Sequence, residues 1–286
     1  RANPPATPPL VPPTAEQAPR DPDGAPAPPN RVGAPPPGPV LPAGSWAAQE
    51  LQRRGFVWRT GRKVVVLDPG HGGPEVGAAQ GRLAEKNVNL AIAFKLKALL
   101  EEQGIQALLT RETDRRAFEL PDAQADNPRA PLRADLQARV DLANAARANL
   151  FISIHNNGSS NPAEAGTEVW YAPDHPQGDK NWLLGQEVLN GIVEHLAGAG
   201  YRAPNRGLKN GSQFRVFQGR VFPLFVLGAP RAEPRPARGI TMPGVLGESL
   251  FLSNSYEAAL LGQDAFQEAI ARGYLQGIQR FFAKSN

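Results

Sequence analysis

From Lys63 onward, short β-branched runs alternate with stretches of helical period, and this alternation restricts the fold more than any other feature. Lys63–Leu67 (KVVVL) is bounded by Asp68-Pro69-Gly70 and reads as a buried strand. Glu85–Gln103 then sets Val88, Ile92, Leu96, Leu99 and Leu100 at helical spacing, with Gly104 as the stop. Ile105–Thr110 is a second strand, and a polar loop runs from Glu112 to about Pro131. Leu132, Leu136, Val140 and Ala143 mark a second helix, and Leu150–Ile154 a third strand. Thr167–Tyr171 continues the pattern as a strand, Trp182–Leu196 as a helix, and Val245–Leu246 as the opening of a late strand. Ala265–Phe282 closes the chain as a helix with Phe266, Ile270, Tyr274, Ile278 and Phe281 inward. The fold class predicted is α/β: a mostly parallel, twisted sheet with helices on both faces. Ligands of such sheets bind outside the carboxyl ends of the strands. The segments after Leu67, Ile154 and Leu246 therefore share one rim.

The length of 286 residues alone would suggest two domains. More than half of the 30 prolines, however, fall before Gly44, in a stretch without an aromatic residue. Proline fixes φ and lacks an amide proton, so residues 1–45 are predicted to be a disordered, extended linker. Residues 46–62 are predicted to be a transition segment, and 63–286 one α/β domain. The chain has no cysteine, which excludes disulfides and thiolate metal sites. No run is apolar for long enough to span a membrane. The first residue is Arg1 rather than Met, which fits a mature form whose targeting segment has been removed. A net charge of +4 favours anionic partners, with an ordinary solvated surface as the simpler account.

Three segments on the predicted rim bear residues suited to metal chemistry. His71 sits in the glycine-rich turn Asp68-Pro69-Gly70-His71-Gly72-Gly73, Glu85 opens the first helix beside Lys86, and His155 closes the strand Ser153-Ile154-His155. Singly, each has a plainer role: a surface turn, a complement to the helix dipole, a satisfied core histidine. Together they offer two imidazoles and one carboxylate, a common set for catalytic zinc that needs no thiolate. Glu248 in Pro243-Gly244-Val245-Leu246-Gly247-Glu248 adds a carboxylate at another strand end, suited to a general base or, equally, to a buried ion pair. For His175 and His195 the structural role is preferred. Asn254–Glu257 is a helix-capping signal.

With those residues identified, the chain resembles the zinc-dependent N-acetylmuramoyl-L-alanine amidases of bacterial wall turnover and cell division. The resemblance runs from about Lys63 to Phe282 through VVVLDPGHGG, EKNVNLAIAFKLKALLEEQG, LLTRETD, RVDLANAARANLFISIHNN, NRGLK and ESLFLSN. It implies one Zn2+ per chain held by His71, Glu85 and His155, with Glu248 as the catalytic glutamate. Four positions depart from the family pattern. Glu75 replaces a usual aspartate, Asn156 an alanine, Leu250 a glycine, and Gly247 a larger apolar residue. The short link after Tyr171 implies that the inhibitory helical insert of some division amidases is absent.

The implied activity is hydrolysis of the amide between the lactyl group of N-acetylmuramic acid and L-alanine. Substrate contacts are expected from Asn156 and from Arg206 and Lys209, whose cations suit stem-peptide carboxylates, although surface solvation is the simpler role for either cation. The expected partners are peptidoglycan and, within the family, an activator protein. The chain is expected to act as a monomer, in the periplasm or outside the cell. Rival functions are a zinc peptidase on wall peptides and a non-catalytic wall-binding module. A nucleic-acid partner is not expected, because no basic run is interleaved with aromatics. Phe214–Phe217 and Val221–Leu227, joined by Gln218-Gly219-Arg220, predict a hairpin that extends the sheet at an edge, followed by an irregular basic loop over Gly228–Gly239.

Overall fold

The computed structural model describes residues 45–121, 127–217, 220–229 and 238–285. In chain order the strands are β1 (Val64–Pro69), β2 (Ala79–Gln80), β3 (Leu83–Ala84), β4 (Gln106–Leu109), β5 (Leu150–Asn157), β6 (Thr167–Tyr171), β7 (Asn205–Asn210), β8 (Arg215–Phe217), β9 (Arg220–Phe222) and β10 (Gly244–Phe251). The helices are α1 (Trp46–Arg53), α2 (Glu85–Glu102), α3 (Ala130–Ala145), α4 (Gly178–Gly198), α5 (Ser255–Leu261) and α6 (Asp264–Lys284). The central sheet has the order β4-β1-β5-β10-β6-β7. Its pairs are parallel, except that β6 runs antiparallel to β10.

β1 is buried along its whole length, as its unbroken Val64–Leu67 run requires of a strand covered on both sides. Strand side chains alternate between faces. Val65, Leu67, Ile152, Ile154, Val169 and Val245 therefore pack with α2, α4 and α6, while Val64, Val66, Phe151 and Leu246 pack with residues of α1 and α3. α4 and α6 meet backbone to backbone. A Cβ added at Gly273 would stand 2.5 Å from Ile192 Cα, and one at Gly277 would stand 2.5 Å from Val188 Cα. Only glycine permits that approach.

Several expectations need correction. The chain before β1 is not a bare transition: Trp46–Arg53 is helical, with Ser45 Oγ capping Ala48 N–H, and buries Ala47 and Leu51. β5 and β10 run on to Asn157 and Phe251, so His155 and Glu248, expected at strand ends, lie within their strands. The hairpin forms as β8 and β9, but as a separate two-stranded sheet. The edge it was expected to occupy belongs to β7, the polar Asn205–Asn210 segment, and the open edge of β6 can pair only once. Pro223 offers no N–H to prolong β9, and the chain turns so that Val226 and Leu227 enter the core. In the basic loop, residues 230–237, with Arg231 and Arg235, lie outside the described residues. Arg238 is bound to Asp141 of α3 at 2.6 and 2.5 Å.

Candidate metal centre

The loop after β1 is held by two arginines from distant elements. Arg139 of α3 is fully buried and donates to Asp68 Oδ1 (2.9 Å), Pro69 O (2.9 Å) and His71 O (2.7 Å), while its Nε binds Asp135. Arg111 donates to Pro69 O, Gly70 O and Lys86 O at 2.6–3.0 Å. Lys86 binds Gly73 O, and Asp114 accepts from Gly73 N–H. These contacts hold His71 at φ 62°, a conformation an isolated non-glycine residue rarely adopts. Asp68 is buried; desolvation alone would raise its pKa, but the Arg139 charge and hydrogen bonds from Thr110 and Ser153 hold it below the ordinary value.

Glu85 is the first residue of α2 and turns its carboxylate toward both histidines. Its Oε1 lies 3.2 Å from His71 Nε2 and 2.9 Å from His155 Nδ1. The same oxygen is 3.2 Å from Asn89 Nδ2 and from Asn156 N, and Oε2 accepts from Ala78 N–H. His71, Glu85 and His155 offer ligand atoms that all lie within 4.8 Å of one another and could hold a metal ion. The pocket is closely fitted. A Cβ at Gly70 would collide with the His155 ring, and one at Gly77 with Glu85 Oε2 and His71. Burial raises the Glu85 carboxyl, but hydrogen bonds and charge from His155 and then His71 hold it well below the usual carboxylate range. Burial is also the main cause lowering His155, against the opposing hydrogen bond and charge of Glu85.

Glu248 is the register partner of His155 on one side and of Glu168 on the other. Its Oε2 is shut off from solvent and has no hydrogen-bond partner among the described residues. Desolvation, followed by the charges of Glu85 and Glu168, pushes its pKa well up. Glu168 is a member of the site that the sequence did not announce. It is buried and accepts from Asn157, Trp170 and Arg206. The only clue was its place in Thr167–Tyr171, one residue into a strand.

The three candidate substrate contacts have different surroundings. Asn156 is buried, and its side-chain amide donates to Asn89 Oδ1 at 2.8 Å. Arg206 pairs with Glu168 (2.8 Å) and Glu164 (2.7 Å) and lies over the Phe251 ring. Lys209 is only 4.0 Å from Glu168 and half-exposed. Of the other histidines, His175 is a core residue whose ring bonds Ile240 O and Gln177 N. His195 lies on α4, outside the cluster.

Two imidazoles and a carboxylate around one point, with a desolvated second carboxylate alongside, form the arrangement of a metal-assisted hydrolase. Sequence comparison is more specific. The chain belongs to the N-acetylmuramoyl-L-alanine amidase family, whose model matches residues 65–280. It is 32% identical over 222 residues to the germination-specific N-acetylmuramoyl-L-alanine amidase of Bacillus subtilis (strain 168), covering 78% of this chain and 81% of that protein. It is also 32% identical over 246 residues to the N-acetylmuramoyl-L-alanine amidase AmiA of Escherichia coli (strain K12), covering 78% and 77%. Among solved structures it resembles the CwlD amidase of Clostridioides difficile, determined in complex with the GerS lipoprotein. That match has a TM-score of 0.61 and 28% identity and covers 78% of this chain and all of that one. AmiC2 of Nostoc punctiforme matches with a TM-score of 0.57 and 28% identity, covering 79% and 99%. No described helix is long and apolar enough to cross a membrane.

Proposed function

We propose that the chain is a zinc-dependent N-acetylmuramoyl-L-alanine amidase in which His71, Glu85 and His155 hold the metal and Glu248 moves the proton. The observation that carries this is the convergence of the three ligand atoms beside the β5–β10 pair, where His155 and Glu248 are neighbours in register. Tetrahedral ligands about 2.0–2.1 Å from zinc lie about 3.3 Å from one another. The separations of 2.9 and 3.2 Å from Glu85 Oε1 to the two imidazoles are close to that spacing. The donors are nitrogen and oxygen, as zinc accepts, and a side chain at Gly70 or Gly77 would collide with them.

Zinc bound there supplies the Lewis acidity that brings a water's pKa to about 7 in favourable sites. Glu248, an unpaired carboxylate in a desolvated place, accepts a proton from the water that attacks the lactyl carbonyl. It then returns that proton to the nitrogen of L-alanine as the carbon–nitrogen bond breaks, leaving a lactyl carboxylic acid and a free peptide amine. Glu168 stays bound to Arg206 and takes no part in the proton transfer. Lys209, whose ammonium has only a long contact to Glu168 among the described residues, is the better placed of the two cations to meet a stem carboxylate. Asn156 orients Asn89, and both donate to Glu85 Oε1.

Peptidoglycan as substrate puts the working enzyme outside the cytoplasm, in the periplasm or at the wall, and the chain acts as a monomer. A protein activator belongs to this proposal as well, because the C. difficile relative was solved bound to a lipoprotein. The test is digestion of purified peptidoglycan with and without a chelator. Release of whole stem peptides with intact glycan, abolished by chelation and restored by zinc, is the expected result. Cleavage within the stems would mean a peptidase, and wall binding without products would mean a binding module.

A further inference from the structure

We infer that Tyr274 is a positioning residue for Glu248, acting through the carbonyl of Gly247. The inference rests on Glu248 being the proton carrier proposed above. Tyr274 lies in the middle of α6, is fully buried, and donates its hydroxyl to Gly247 O at 3.1 Å. Alternation along β10 turns position 247 toward α6 and Glu248 toward the metal-binding side. A Cβ at Gly247 would collide with Tyr274 Oη and would stand 2.9 Å from its Cζ. Glycine at 247 and tyrosine at 274 are thus a matched pair, the phenol occupying the space that a larger residue would fill.

The strand needs this support at that point. Its antiparallel pairing to β6 runs from Leu246 to Glu248, and its register with β5 shifts between Glu248 and Phe251. Glu248 is therefore at the last regular rung on both sides. Its Oε2 makes no hydrogen bond among the described residues, so the backbone beneath has to aim the carboxylate. α6 is a rigid base for this contact, because Gly273 and Gly277, flanking Tyr274, seat it directly on the backbone of α4. From the helical layer, the Tyr274 hydroxyl grips the strand at the residue before Glu248.

The experiment compares zinc-loaded full-length variants on a soluble muropeptide, reading kcat, KM, metal content and thermal midpoint. Tyr274→Phe keeps the ring and loses the hydroxyl; kcat should fall about tenfold, KM should stay within about twofold, and zinc should remain bound. Gly247→Ala should lose more, and adding Tyr274→Phe to it should restore part of the activity, because the colliding oxygen is gone. In a Glu248→Ala background, Tyr274→Phe should change the residual rate little. Wild-type kcat in Tyr274→Phe, or losses that multiply in the double variant, would overturn the inference while leaving Glu248 in its role. Near-normal kcat in Glu248→Ala would overturn the role of Glu248 itself, and the inference with it.

Discussion

Glu248 and Glu168 stand directly opposite each other on β10 and β6, two carboxylates in one antiparallel pair. Like charges so placed are unfavourable, and the structure treats them differently. Glu168 is given Arg206, whereas Glu248 has no ion pair among the described residues and is desolvated beside Glu85. One carboxylate is held by an arginine, and the other is desolvated with its Oε2 unbonded among the described residues.

This asymmetry predicts a pH profile. Burial first, then the charges of Glu85 and Glu168, raise the Glu248 pKa, so the acid limb of kcat should lie above the ordinary glutamate value of about 4.3. A base works only when deprotonated, so activity falls as pH drops through that limb. Glu168→Gln removes one repelling charge and should move the limb to lower pH. Glu248→Gln should keep the metal and lose about 100- to 10,000-fold in turnover. A limb that stays fixed in Glu168→Gln would detach the two residues.

Metal analysis addresses the ligand set. His71→Ala and His155→Ala should each lose stoichiometric zinc at neutral pH while retaining secondary structure by circular dichroism. Equimolar zinc in either purified variant would refute that ligand's assignment.

The arginine under the loop should matter for stability as much as for the site. Arg139→Met strands Asp68 and Asp135 as buried carboxyls, and breaking such a network costs about 3–5 kcal/mol. The sign of the pH effect follows from Asp68. Its folded pKa is depressed, so its contribution is present above the unfolded value of about 3.9 and is lost as pH falls through the lower folded value. Asp68→Asn should therefore flatten the acid side of the stability curve, as read by urea denaturation between neutral and acidic pH.

Arg206 and Lys209 should separate kinetically. Lys209→Ala should raise KM for substrates with free stem carboxylates and leave the thermal midpoint near wild type. Arg206→Ala leaves Glu168 buried and short of a cation, so its melting temperature should fall as well. Equal KM effects without any loss of stability would place both cations at the substrate.

Truncation tests the start of the folded part. Removing residues 1–44 should spare cleavage of soluble fragments. Removing the chain through Arg53 also takes away Ala47 and Leu51, which pack near α3, and should lower the melting temperature. Equal melting temperatures for the chains lacking residues 1–44 and residues 1–53 would show that α1 adds no stability.

The sequence by itself determined the layered α/β plan and named the residues that meet at the centre. Its signals there are local: unbroken apolar runs for strands buried on both faces, a 3.6-residue period for the helices, and glycines around His71. Parallel strands carry their ends to one rim whatever the remaining details, so His71, Glu85 and His155 could be grouped without coordinates. Tertiary structure alone decided which charges were already taken. Arg139 lies 71 residues from Asp68, and Arg206 lies 38 from Glu168, and no period or motif relates such pairs. Strand extent was equally hidden: β5 and β10 continue past the expected ends because each is paired by a neighbour, and β7 takes the edge because β6 lies open beside it. The Gly247–Tyr274 contact shows the same limit, since a glycine reads as a weak strand residue until the helix that fills its missing side chain is in place. Side-chain type and periodicity are properties of a segment, whereas register, burial and charge pairing exist only between segments.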